Sequence, residues 1–207
     1  MNRARAAIAA LPDTANALAF AAAWVAPALV GLPFVRTMFV TFLLEFFAVH
    51  AGGMLMGFSQ THGVRDVKAL LMLVALALLY LGMGAMFCAI FDTWWPLVSL
   101  SLVVLAKVLP ILLRRDTSED LHGPALWALG AVCYLGAVFA TTLLPVPALG
   151  IDEAMRTALD LPGSGEWIDA PQKPLASGAI YFGLLAWLRY VLLKPRTARA
   201  GASGATA

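Results

Sequence analysis

Six apolar runs of about twenty residues follow one another along this chain, and nearly every charged residue falls in the short segments between them. An α-helix rises about 1.5 Å per residue, so a run of about 20 residues matches the roughly 30 Å hydrocarbon layer of a bilayer. No water reaches the peptide groups there, and a helix is the one single-segment structure that bonds them all internally. Composition agrees: 61% of the 207 residues are apolar and 13% charged, against about 45–50% and about 25% for a soluble domain. The fold class expected is all-α, a polytopic transmembrane bundle of six spans. The formal charge of +2 argues against nucleic acid as a partner. The lipid bilayer is the partner expected first.

The punctuation between runs sets the boundaries. A cytoplasmic tail is expected over 1–14, where Pro12 and Asp13 interrupt an early apolar stretch. The membrane domain, 15–193, then has spans at 15–33, 37–58, 68–91, 94–113, 124–147 and 175–193. The Arg-then-apolar start resembles a signal peptide, but the run that follows is long enough to span, which favours an uncleaved first helix. Pro27 inside it removes a backbone donor and is expected to bend it. The last segment, 194–207, is rich in Ala, Gly, Ser and Thr and reads as a disordered cytoplasmic tail.

Orientation follows from the basic residues. With the first residue inside, the inner segments hold Arg3, Arg5, Arg65, Lys68, Arg114, Arg115, Lys194, Arg196 and Arg199. The outer ones hold only Arg36, Arg156 and Lys173. The positive-inside rule then places both termini in the cytoplasm, as an even number of spans requires, and Trp94, Trp95 and Trp167 at the outer interface. High Ala content and short loops suit a bacterial inner membrane. The outer connector at 150–174 repeats Ile151, Met155 and Leu159 every fourth residue between charged neighbours, the pattern of an amphipathic helix lying on the membrane surface. It reads as a seal on the bundle or as a lid.

Few polar residues fall inside the runs, and these are the site candidates. Glu45 stands about nine residues beyond Arg36, near mid-membrane, where a carboxyl must be neutral, paired or hydrated. Thr37, Thr41, Ala48 and Gly52 share its helix face, a small and polar stripe suited to neighbouring helices rather than acyl chains. His50 lies about 140° around the same helix at about 100° per residue, on a face with Phe46, Gly53, Met54 and Gly57, so a direct Glu45–His50 bond is not expected. Lys107 in the fourth span and Arg189 in the sixth either snorkel to the inner headgroups or turn inward. A Glu45–Lys107 pair near His50, with Tyr80, Tyr134 and Ser99 or Ser101 completing a hydrogen-bond network, is the sharper alternative. Such a set relays protons or simply glues helices together.

Other chemistry is poorly supported. The depths of Cys88 and Cys133 differ by roughly 18 Å, while bridged Cα atoms sit about 4.4–6.8 Å apart, so both read as packing residues. His62 and His122 fall in inner loops, away from His50, and Met54, Met56, Met83 and Met86 read as packing rather than soft-metal ligands. There is no Cys-x-x-Cys, no close His pair and no Gly-rich phosphate loop. No metal and no cofactor is expected, and catalytic residues are unknown. Function is expected to be that of a small transporter or channel-like subunit with a buried Glu/His/Lys cluster, working as a homo-oligomer or with other membrane subunits. The alternatives are a structural or assembly subunit of a membrane complex and, third, a membrane-embedded lipid-modifying enzyme with Glu45 and His50 as acid and base.

Overall fold

The computed structural model describes residues 3–61, 67–112 and 123–193. At some helical positions, Lys107 among them, the side chain lies outside this description. His62, Arg65, Arg114, Arg115 and His122 and the segment 194–207 lie outside it altogether.

Every regular element among the described residues is helical. Six long helices are α1 (Arg3–Val25), α3 (Leu32–Thr61), α4 (Val67–Phe91), α5 (Trp95–Leu112), α6 (Gly123–Leu143) and α9 (Gln172–Leu193). Three short ones, α2 (Pro27–Val30), α7 (Glu153–Leu159) and α8 (Glu166–Asp169), lie in the connections. Among the described residues, two segments are apolar enough by length and composition to cross a membrane, Leu32–Met54 and Leu70–Phe91. Only 28% and 22% of their most apolar windows are buried, the reverse of a soluble core helix, which hides its apolar face. Leu71, Val74, Leu78, Leu79, Met86 and Ile90 make α4 apolar on the outside. Their length, composition and exposed apolar surface suit association with a membrane.

The first run differs from the sequence reading. The helix opens at Arg3 rather than near residue 15, and Pro12 sits inside it. The expected bend at Pro27 is a break: Pro27 starts α2, Gly31 closes it with φ 84°, and α3 begins at Leu32, before the expected 37. Both breaks have local causes. Proline has no N–H for the preceding turn and is tolerated at a helix start, and a positive φ suits a residue without a Cβ. The fifth run ends as a helix at Leu143, with Pro145 and Pro147 beyond it in irregular backbone.

The pairs α1–α9, α6–α9 and α3–α6 run antiparallel, whereas α3 and α5 run in the same direction, with Leu100 packed at Phe39 and Leu44 and Val104 further on at Ala51. Phe20 stacks on Phe182 and Asp13 meets Arg189, so α1 and α9 oppose each other along their length. Thr141 meets Ser177 and Tyr134 meets Tyr181 between α6 and α9. Phe42 stacks on Tyr134, and Trp127 reaches Val49, between α3 and α6. Gly84 faces Leu97 and Leu100 between α4 and α5. The main core holds Phe20, Ala23, Val35, Phe42, Tyr134, Ala137, Leu175, Tyr181 and Phe182.

The connector after α6 caps one end of the bundle. Asp152 caps α7 by accepting from the Met155 amide at 2.8 Å. The apolar side of α7 departs from the expected membrane-surface placement: Ile151 and Leu159 are each 1% exposed and pack into the main core. The Arg36 guanidinium donates to the Asp160 carbonyl at 2.7 Å, the Trp24 indole to the Pro147 carbonyl at 2.9 Å, and Trp167 packs on Phe42. Lys173 donates to Glu166 and to the Thr142 carbonyl.

Candidate functional site

Glu45 sits thirteen residues into α3, roughly 20 Å from the capped end at ~1.5 Å per residue. It is partly buried, and its carboxylate accepts a hydrogen bond from the Tyr181 hydroxyl of α9 at 2.7 Å. Tyr181 is buried and turns its ring edge to Tyr134 of α6, centroids 5.4 Å apart. Tyr134 in turn stacks on Phe42, one turn before Glu45, and donates to the Phe42 carbonyl at 3.3 Å. The carboxylate thus stands among aromatic rings supplied by three helices. Hydrogen bonds to a charged oxygen are the stronger kind, and a low-dielectric wall strengthens them further.

A second carboxylate joins from α1. Asp13 is buried, its Oδ2 2.7 Å from Arg189 Nε of α9. The pair is ionic by distance, although no N–H is aligned on that oxygen as a hydrogen bond. Arg189 keeps half of its side chain exposed while Asp13 keeps 8%. Both lie close enough to Glu45 to act on it electrostatically. The set therefore holds two carboxyl groups and one guanidinium, drawn from α1, α3 and α9.

The other sequence candidates disperse. Thr41 donates to the Thr37 carbonyl of its own helix at 2.7 Å and Ser101 to the Leu97 carbonyl, so both satisfy themselves locally. Tyr80 of α4 is buried and donates to Met54 Sδ at 3.4 Å, in a separate cluster with Ala51 and Val104. His50 lies exposed in a slot between α3 and α6, its ring 4.8 Å from Phe46. Lys107 belongs to α5, and a Glu45–Lys107 pair falls outside the described side chains. Cys88 and Cys133 are free thiols. Among the described residues no three His, Cys, Asp or Glu side chains gather as a metal site requires.

Asp13 and Tyr181 are the members that sequence reasoning missed. Asp13 was assigned to a tail, yet it shares a helical face with Ala17, Phe20 and Trp24, at steps of four, three and four, and that periodicity was available to find it. Tyr181 carries no such signal, since a tyrosine inside an apolar run reads equally well as packing.

Compared with known families, curated proteins and solved structures, the chain matches none.

Proposed function

We propose that the chain is a multi-pass membrane protein in which α1, α3, α4, α5, α6 and α9 are six spans, with both termini in the cytoplasm. It acts as a small transporter or channel-like subunit, and Glu45 is its proton- or cation-accepting group. The arrangement that supports this is the charge imbalance around Glu45. Asp13 is matched by Arg189, whereas Glu45 has a tyrosine hydroxyl and no cation within ion-pair distance among the described residues. Ionised charge is costly at membrane depth, so the set gains most from one further positive charge. A proton or a monovalent cation supplies it, and an acceptor that alternates between the two states is what coupled transport needs.

The test is reconstitution in liposomes with a pH-sensitive dye inside, under an imposed potential. Wild type is expected to carry proton flux and Glu45→Gln to lose most of it. Equal flux in the two sinks the assignment. Cysteine labelling at each end of the chain from outside intact cells tests the topology, and labelling of one end alone refutes six spans.

A structural or assembly subunit is the second reading, favoured by α4. That helix packs on α5 and, to a smaller extent, α3, and leaves a broad apolar face bare. Recovery from native membranes with stoichiometric partners, together with an absence of flux, would select it.

A further inference from the structure

A cavity of about 430 Å³ opens sideways between α3 and α6. Phe46, Val49, His50 and Gly53 form one wall, and Trp127 and Tyr134 stand in the other. Its size falls within the usual range for small-molecule sites, about 300–1,000 Å³. Its chemistry is unusual for a lipid-facing gap. Trp127 donates its indole N–H to the Val49 carbonyl at 2.8 Å, and Tyr134 gives its hydroxyl to the Phe42 carbonyl. Both therefore have their polar hydrogens engaged within the protein and bring aromatic ring to the slot. Gly53 permits this: a Cβ there would lie within 2.9 Å of three Trp127 ring atoms.

His50 is the exception. Among the described residues its imidazole has ring contact with Phe46 and no hydrogen bond. It stands fourteen residues from Arg36, roughly 21 Å along the helix at ~1.5 Å per residue, which leaves it roughly 9 Å inside the far edge of a ~30 Å hydrocarbon layer. An imidazole left without a partner in hydrocarbon is a polar group stripped of water with nothing in exchange, which is unfavourable. An acyl chain in the slot would leave that cost standing. Phospholipid phosphates lie too shallow to reach His50, and no Lys or Arg is among the described lining residues to hold one. What fits is flat, neutral and soluble in the bilayer interior, with an oxygen that accepts a hydrogen bond.

We propose that the slot between α3 and α6 binds the ring of a membrane quinone, with one ring carbonyl accepting a hydrogen bond from His50 and the ring lying against Phe46, Trp127 and Tyr134. The isoprenoid tail leaves sideways between the two helices into the bilayer. The site rests on the membrane placement proposed above and is independent of the transport role of Glu45.

The experiment uses the full chain in lipid nanodiscs and decylubiquinone, a short-tailed benzoquinone, as the probe. Quinones quench nearby tryptophan, so titration is expected to give saturable quenching that Trp127→Phe largely removes. His50→Leu, at an exposed position with no protein hydrogen bond to lose, is expected to fold normally and to bind roughly fivefold more weakly, about the worth of one neutral hydrogen bond. Ala131→Phe, which places a ring in the slot, is expected to abolish saturable binding. Non-saturable quenching shared by wild type and Ala131→Phe would mean partition into lipid alone and overturn the site. Unchanged affinity in His50→Leu would overturn it too. Incorporation into nanodiscs without binding refutes the slot alone, whereas a chain that does not incorporate refutes the membrane placement as well.

Discussion

Charge removal at the Asp13–Arg189 pair should be strongly asymmetric, because the two partners are so unequally buried. Asp13 keeps 8% of its side chain exposed and Arg189 keeps 50%. Arg189→Met strands a buried carboxylate beside the second one on Glu45. Breaking a fully buried pair in this way costs about 3–5 kcal/mol, while exposed pairs are worth about 0.2–1 kcal/mol. With one partner buried and the other half-exposed, the expected loss is about 2 kcal/mol. Asp13→Asn instead leaves a guanidinium that can extend its long stem to polar surroundings, and it relieves repulsion at Glu45, so its cost should stay below about 1 kcal/mol. The double variant should be no less stable than Asp13→Asn alone by more than the error of the measurement. The assay is unfolding in dodecylmaltoside micelles titrated with SDS, followed by far-UV circular dichroism. Equal costs for Asp13→Asn and Arg189→Met, or a double variant that shows the sum of the two losses, would mean that unequal burial does not set the energetics of this pair.

Two further perturbations test the packing around the same site. A Cβ on Gly178 would meet three Phe20 ring atoms within 2.7 Å, and Phe20 is fully buried, so Gly178→Val should cost about 1–3 kcal/mol by overpacking. Gly178→Ala should cost less, since helix propensity returns about 1 kcal/mol, and thermal unfolding in detergent orders the pair. Tyr181→Phe removes the hydroxyl that Glu45 accepts from, a loss of about 1.5–3 kcal/mol. In Glu45→Gln the same tyrosine substitution should matter less, and additive losses in that cycle would mean that the two side chains are not coupled. At the capped end, Arg36→Gln loses its bond to the Asp160 carbonyl and should raise the rate of proteolysis in 144–171 with little change in global stability; an unchanged rate would mean that the connector is held by Ile151, Leu159, Trp167 and the Trp24–Pro147 bond without it.

Some of this architecture is legible in residue order, and physical punctuation explains which parts. The runs at 68–91 and 94–113 coincide closely with Val67–Phe91 and Trp95–Leu112, because Asp92 and Thr93 interrupt the apolar sequence between them and Lys68 marks the earlier edge. The first run was misjudged for the same reason in reverse. Pro12 and Asp13 look like helix breakers, yet α1 passes through both and turns Asp13 toward Arg189. Glu45 was visible as a candidate because an acid in a long apolar run has few tolerable surroundings. Its partner was not visible, since periodicity assigns a face to a residue but does not say which helix covers that face. The difficulty is deeper in a chain of this type than in a soluble one. On α3 and α9 apolar residues lie on every side, so buried Phe42 and exposed Phe46, on one helix, read alike in sequence. Hydrophobicity then stops separating inside from outside, and polar side chains become the remaining compass. Glu45 and Asp13 point into the bundle toward α9, whereas His50 points to the slot against α6. That divergence keeps the carboxylate set and the imidazole apart, and it is why Glu45→Gln and His50→Leu should change different properties of the protein.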